Sequence, residues 1–313
     1  MNHGNRKPEI RKWETADGVP IHCRVWENET AAREVWIVHG MGDHGGRYLE
    51  LAGTLVHSGF RVILADHRGN GLSGGRRGYV PRFDSYLSDL ETTIEKTRSG
   101  RKGYLLGQSM GSLIVARFLQ QRPSGFERAL LFSPMFRTTR PPPRFKLLMA
   151  GLLRYICPRV TFRVRFATSE LTSDEKRKAE YRQDPLKHGR VSPELGWSVF
   201  RQGELAIQLA GQIEVPTLVM HGEIDRITSP RAAAEFAEKN PLIEFVSWPG
   251  MRHELYNEPE NQKVLDTAIH WLKGTLSHGT LSLGTLSYGN LIGCKLKADE
   301  VAGERMTAKK GIP

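Results

Sequence analysis

A serine, an aspartate and a histidine are spaced along this chain in a pattern that suits nucleophilic chemistry. Residues 104–111 read YLLGQSMG, with a single residue separating Ser109 from Gly107 on one side and from Gly111 on the other. The apolar run before the serine has a strand pattern and GSLIVARFLQQ after it a helical one, so a sharp strand-to-helix turn is expected at Ser109. Glycines at the flanking positions let strand and helix approach without Cβ clashes. The helix N-terminus then favours the negative charge of a tetrahedral intermediate. A hydroxyl alone is a weak nucleophile and needs a base that is itself oriented by an acid. The strand-like run VPTLVMHG continues into EIDRITSP and offers Asp225, and EFVSWPGMRHELYNEP offers His253. In these roles His253 takes the proton of Ser109 and Asp225 fixes the imidazole tautomer. Glu223 follows the same strand and is the alternative acid. Two N–H groups must hold the oxyanion: that of Met110, just after the serine, and that of Met41, after the strand end WIVHG.

Those residues need strand ends to stand on, and the chain supplies them. EIRKWET and IHCRVWE, joined by ADGVP with its Asp17-Gly18 turn signal, read as an opening hairpin. Strand-like EVWIVHG, FRVILADHRG, KGYLLG, RALLFSP, VPTLVMHG and LIEFVSWPG then alternate with helical segments, the last being PENQKVLDTAIHWLKG. Such alternation predicts an α/β fold, a mostly parallel sheet with helices on both faces. The rhythm breaks over residues 134–212, where proline-broken and amphipathic helical stretches predict a helical insertion. The expected organisation is therefore a core over 1–133 and 213–273, the insertion over 134–212, and a tail over 274–313.

The blocks HGMGDHGGRY, ADHRGNGLSGG, LLGQSMGS, YRQDPL, MHGEIDRITSP and GMRHELYNEP, in this order, resemble the monoacylglycerol lipase and lysophospholipase group of α/β-hydrolases, within the wider serine aminopeptidase-like family. The order Ser, Asp, His is that of the α/β-hydrolases, and the resemblance covers about residues 10–273. It implies the α/β-hydrolase fold, a cap formed by 134–212, and carboxylester hydrolysis of single-chain lipids, monoacylglycerol or lysophospholipid, without metal or organic cofactor. It further implies that Asp43, Arg47 and Tyr181 hold the head group. Four positions depart from the group's pattern: Tyr256 and Asn70 stand where histidines are usual, and Gln108 and Ser112 flank the nucleophile where histidine and glycine are common. A short-chain esterase or peptidase of the same fold is the alternative within the enzymes, and a non-catalytic binding protein the alternative outside them.

Composition bounds the remaining choices. At 313 residues, 39% hydrophobic and 25% charged, the chain suits a globular protein. Neither a spanning helix nor a signal peptide is visible, and the three cysteines are odd in number and far apart, so a cytoplasmic protein without disulfide or metal framework is expected. The net charge of +11 is concentrated over residues 134–210, with 15 Lys and Arg against 7 Asp and Glu. No nucleic-acid motif accompanies it. Arg137, Arg140, Arg144 and Lys146 precede an apolar run that offers Leu147, Leu148, Met149, Leu152 and Leu153 to an acyl chain or to the interface, so a basic rim beside an apolar patch, suited to an anionic membrane surface, is expected. From Gly274 the tail repeats with period five (GTLSH, GTLSL, GTLSY, GNLIG, CKLKA), too few units to close a solenoid, and is expected to be disordered. Oligomeric state has no sequence signal here.

Overall fold

The computed structural model describes residues 7–122, 125–164 and 166–276; the pentapeptide-like repeats beyond lie outside the described residues. Strands β1 (Glu9–Glu14) and β2 (Pro20–Trp26) form the expected antiparallel hairpin. Asp17 in its turn is held by both terminal nitrogens of Arg68, at 2.7 and 2.9 Å. Then follow β3 (Arg33–Val38), α1 (Leu49–His57), β4 (Phe60–Ala65), α2 (Asp84–Thr97), β5 (Lys102–Gln108), α3 (Met110–Gln121) and β6 (Phe126–Phe132). Between β6 and the next strand of the main sheet come α4 (Arg144–Ile156), β7 (Phe162–Arg163), α5 (Thr168–Leu171), α6 (Glu175–Gln183), β8 (Arg190–Val191) and α7 (Pro193–Gln208). The chain ends its described part with β9 (Thr217–Gly222), α8 (Pro230–Glu238), β10 (Ile243–Trp248) and α9 (Asn261–Lys273).

The main sheet has the order β1-β2-β4-β3-β5-β6-β9-β10, antiparallel through β2 and parallel from β4 onward. It is the α/β-hydrolase sheet. Its inner strands β3, β4, β5 and β9 are buried on both faces because both are covered, whereas the edge strand β1 is polar and largely exposed. On β3, Trp36 and Val38 face a core shared with α2, α3 and α8, while Val35 and Ile37 face a second core shared with α1 and α9. The helix boundaries follow local chemistry. Ser192 and Ser229 each cap a helix that begins with proline, accepting from Leu195 N and Ala232 N, and Gly274 ends α9 in the left-handed conformation.

Chain order reverses across the sheet between β3 and β5, the crevice where open α/β sheets bind ligands at the strands' carboxyl ends. The glycines of the Ser109 turn are set by contact there. A Cβ on Gly111 would lie 1.9 Å from the Val38 carbonyl oxygen, and one on Gly107 would lie 2.5 Å from Ser112 Cα. Both obstacles are backbone, so neither yields.

This contact makes a paired test. Gly111→Ala should destabilise the protein by about 1–3 kcal/mol or more, as overpacking does. Gly53→Ala, within α1 and with nothing within 4 Å of the new methyl, should stabilise it by up to about 1 kcal/mol. Denaturant titration of both variants checks the ordering; equal effects would refute the close approach.

Candidate active site

Ser109 lies between β5 and α3 with φ 55° and ψ −115°, the strained conformation expected of it. The turn is held by Ser109 N donating to Phe132 O at 2.9 Å, and by Leu113 N and Met135 N donating to Ser109 O. The side chain is 7% exposed and lines a small cavity together with His253. Met110 is the first residue of α3, where a helix N–H has no partner within the helix. On the other side, Gly40 N is occupied by the Tyr48 hydroxyl at 3.2 Å. The next N–H, that of Met41, is free of hydrogen bonds among the described residues, and Met41 lines the same cavity.

His253 Nδ1 lies 2.7 Å from Asp225 Oδ2, so Nδ1–H donates to the carboxylate and Nε2 keeps its lone pair. The alternative acid, Glu223, is exposed and accepts instead from Gly250 N at 3.3 Å. Asp225 is buried but richly bonded. Its Oδ1 accepts from the N–H groups of Ile227 at 2.7 Å and Thr228 at 3.1 Å, and its Oδ2 also accepts from the Thr228 hydroxyl at 2.8 Å and His221 Nε2 at 3.0 Å. Burial pushes this carboxyl up, but the charge of His253 and these bonds outweigh it and hold it well below the usual range. For His253 burial works downward, and the Asp225 carboxylate outweighs it, leaving the imidazole above its ordinary value. Gln108, at a position where the resemblance departs from its group, donates from Nε2 to the His253 carbonyl at 3.2 Å.

The polar end of the cavity is a buried charge cluster. Arg47 donates to Asp43 at 3.2 and 3.3 Å and forms a two-pronged bond to Glu254 at 3.0 and 2.9 Å. Asp43 further accepts from the Tyr48 hydroxyl and His44 N. Burial raises both carboxyls, and the neighbouring cations more than reverse this, Lys187 first for Asp43 and Arg47 first for Glu254. Tyr181 stacks under both cations, 4.9 Å from Arg47 and 3.5 Å from Lys187. Thus Asp43, Arg47 and Tyr181 meet at one end of the cavity that holds Ser109. Sequence reasoning missed Glu254, Lys187, His221 and Thr228. Glu254 adjoins His253 in the chain, Lys187 directly follows the YRQDPL block, and the last two flank Asp225, so proximity to a motif was their only signal.

Over 264 residues the chain is 26% identical to an abhydrolase domain-containing protein of Dictyostelium discoideum, covering 83% of this chain but only 28% of that longer relative. It is 28% identical over 263 residues to a monoacylglycerol lipase of Mycolicibacterium smegmatis, covering 82% of this chain and 93% of the relative. Among solved structures, a monoacylglycerol lipase of Paleococcus ferrophilus matches with a TM-score of 0.73 and 28% identity, covering 85% of this chain and 98% of that one. A family model described as serine aminopeptidase, S33, matches residues 29–260, most of the chain, and the chain therefore belongs to that family: it is a hydrolase with the α/β-hydrolase fold.

Proposed function

We propose that the protein is a serine carboxylester hydrolase that cleaves the acyl ester of monoacylglycerol or lysophospholipid through an acyl-enzyme. The observation that carries this reading is the bond from His253 Nδ1 to Asp225 beside a cavity shared with Ser109. Ser109 Oγ attacks the ester carbonyl and His253 Nε2 takes its proton. The oxyanion is held by the Met41 and Met110 N–H groups. His253 then protonates the leaving alcohol, and a water activated in the same way releases the fatty acid. An aminopeptidase would need an uncommitted carboxylate to hold a free amine, whereas both carboxylates at the polar end are bound by Arg47. This favours an ester over a peptide.

Segment 134–212 serves in this reading as the cap, since Phe166, Leu171 and Tyr181 line the cavity over Ser109. Its outer surface is the membrane face. On α4, Phe145 is 61% and Leu148 75% exposed, with Met149, Leu152, Tyr155 and Ile156 beside them. Leu147 and Leu153 of the same run, offered to the acyl chain or the interface, are half-buried and turn away from the exposed face. Arg137, expected on the basic rim, is bound instead by Glu204 and Glu235, because it points back toward α7 and α8. The rim is thus Arg140, Arg144 and Lys146, all exposed. Among the described residues no helix is long and apolar enough to cross a membrane.

Ser109→Ala should fold normally and lose ester hydrolysis on the scale of about 10⁶-fold, and Asp225→Asn should cost far more rate than Glu223→Gln. A loss under tenfold for the serine, or the reverse ranking of the acids, would remove the assignment. His253 must be neutral to accept the proton, and its pKa is raised, so kcat/KM on a soluble ester should fall with acid through a limb above about 6.5. Asp225→Asn removes the cause of the rise and should move the residual limb downward; a limb that stays in place would contradict the pairing. At the membrane face each cation near an anionic surface contributes about 1 kcal/mol, screened by salt. Lipid hydrolysis should therefore be faster in anionic than in neutral vesicles and slow as salt rises. Changing Arg140, Arg144 and Lys146 together to Gln should abolish the difference, and a wild-type enzyme indifferent to vesicle charge would end the membrane reading.

A further inference from the structure

Lys187 is buried at the junction of two cavities. It lines the cavity of Ser109 and His253, and also a wider basin next to it, which shares Met41, Phe166 and Tyr181. Its side chain is only 10% exposed. The nearest carboxylate, Asp43 Oδ1, is 3.7 Å from Nζ, beyond hydrogen-bonding distance, and Nζ forms no hydrogen bond among the described residues. An ammonium with three protons thus sits in a desolvated place with a ring beneath it and no acceptor in reach.

The excess of positive charge lies on the basin side of Lys187. Asp43 and Glu254 are both engaged by Arg47, a set with net charge −1 that Lys187 brings to zero. The basin adds Arg182 and Arg190 against a single carboxylate, Asp184, whose Oδ2 is already bonded to His44 Nε2 at 2.7 Å. Arg182 donates to the Thr168 hydroxyl at 3.3 Å, and Arg190 has no ion pair among the described residues. The surplus cations stand on the basin side, one step from the nucleophile.

We infer that the basin beside the catalytic cavity is a phosphate subsite, with Lys187 binding the phosphate of an anionic single-chain lipid while its acyl ester lies at Ser109. This rests on the ester-hydrolase reading above. A neutral glycerol head would leave the ammonium short of a charged acceptor, whereas a phosphate gives it charge-assisted bonds and spreads its remaining oxygens toward Arg182 and Arg190. Burial pushes Lys187 down to about 8, with Asp43, Glu254 and Asp184 opposing and Arg47 reinforcing this, and an anion bound at its ammonium would oppose the shift.

The test separates binding from turnover. Ser109→Ala protein should be titrated by calorimetry with 1-oleoylglycerol 3-phosphate and with 1-oleoylglycerol, both in nonionic micelles. Tenfold or tighter binding of the phosphate lipid is expected. That advantage should vanish in Ser109→Ala/Lys187→Gln and persist in Ser109→Ala/Lys187→Arg. Equal affinity for the two lipids in the parent protein, or an advantage that survives Lys187→Gln, overturns the subsite. Failure of the wild-type enzyme to hydrolyse either lipid would strike the ester-hydrolase reading instead, leaving the binding comparison to decide on the phosphate.

Discussion

The Asp225 carboxylate is fully buried yet ionised, and the site is arranged around keeping it so. A buried carboxylate without partners would take up a proton, and could then no longer hold an imidazolium. Five donors prevent this: two backbone N–H groups, the Thr228 hydroxyl, His221 and His253. They come from β9 and the loop after it, and from the loop after β10, so the parallel pairing of those two strands is a condition for an ionised acid. His221 has its other ring nitrogen, Nδ1, without a partner, which leaves its Nε2 proton committed to the carboxylate. The tautomer of His253 follows from that commitment. With Oδ2 accepting, Nδ1 carries the proton and Nε2 is left basic toward the cavity.

The same logic, charges made tolerable by neighbours, governs the polar end, with a different result. Arg47 engages two carboxylates at once and thereby converts potential ligands for an amine into scaffold. What remains to meet a substrate is the ring of Tyr181, the ammonium of Lys187 and the apolar wall from Phe166 and Leu171. A ligand there meets a cation and apolar surface, which under the proposed function suit a lipid head and chain.

Much of this was legible in the sequence where one residue decided one local conformation. Ser109 between Gly107 and Gly111 announces its turn because only glycine lets backbone approach within 2–3 Å of where a Cβ would be. The hairpin at Asp17-Gly18, the proline-started helices and the alternating strands follow from equally local rules. Legibility failed where a side chain chose between distant partners. Arg137 reads as a rim cation by position, yet it meets Glu204 and Glu235, 67 and 98 residues away. Glu254 reads as a neighbour of the histidine, and only the fold brings Arg47, 207 residues away, to it. Leu147 and Leu153 lie in the same apolar run as Leu148 and Leu152, and the helix turns them inward while the others face out, an effect of period that an apolar run alone does not register.

The division of labour between sheet and insertion has a consequence for specificity. Ser109, Asp225 and His253 stand at ends of β5, β9 and β10, fixed by ladders of parallel strands and by backbone contacts closer than any substitution tolerates. Tyr181, Lys187, Phe166 and Leu171 come instead from the segment between β6 and β9, which is tied to the core by the apolar face of α7 and by bonds such as Thr172 Oγ1 to Asn257 O and Ser173 to Glu258. In the proposed reading, the segment shapes what the cavity accepts, whereas the strand ends carry the reacting groups. The ammonium at Lys187 belongs to the segment. It takes no part in the Asp225 network and, under the phosphate proposal, gives the polar end of the cavity its charge for an anionic head group.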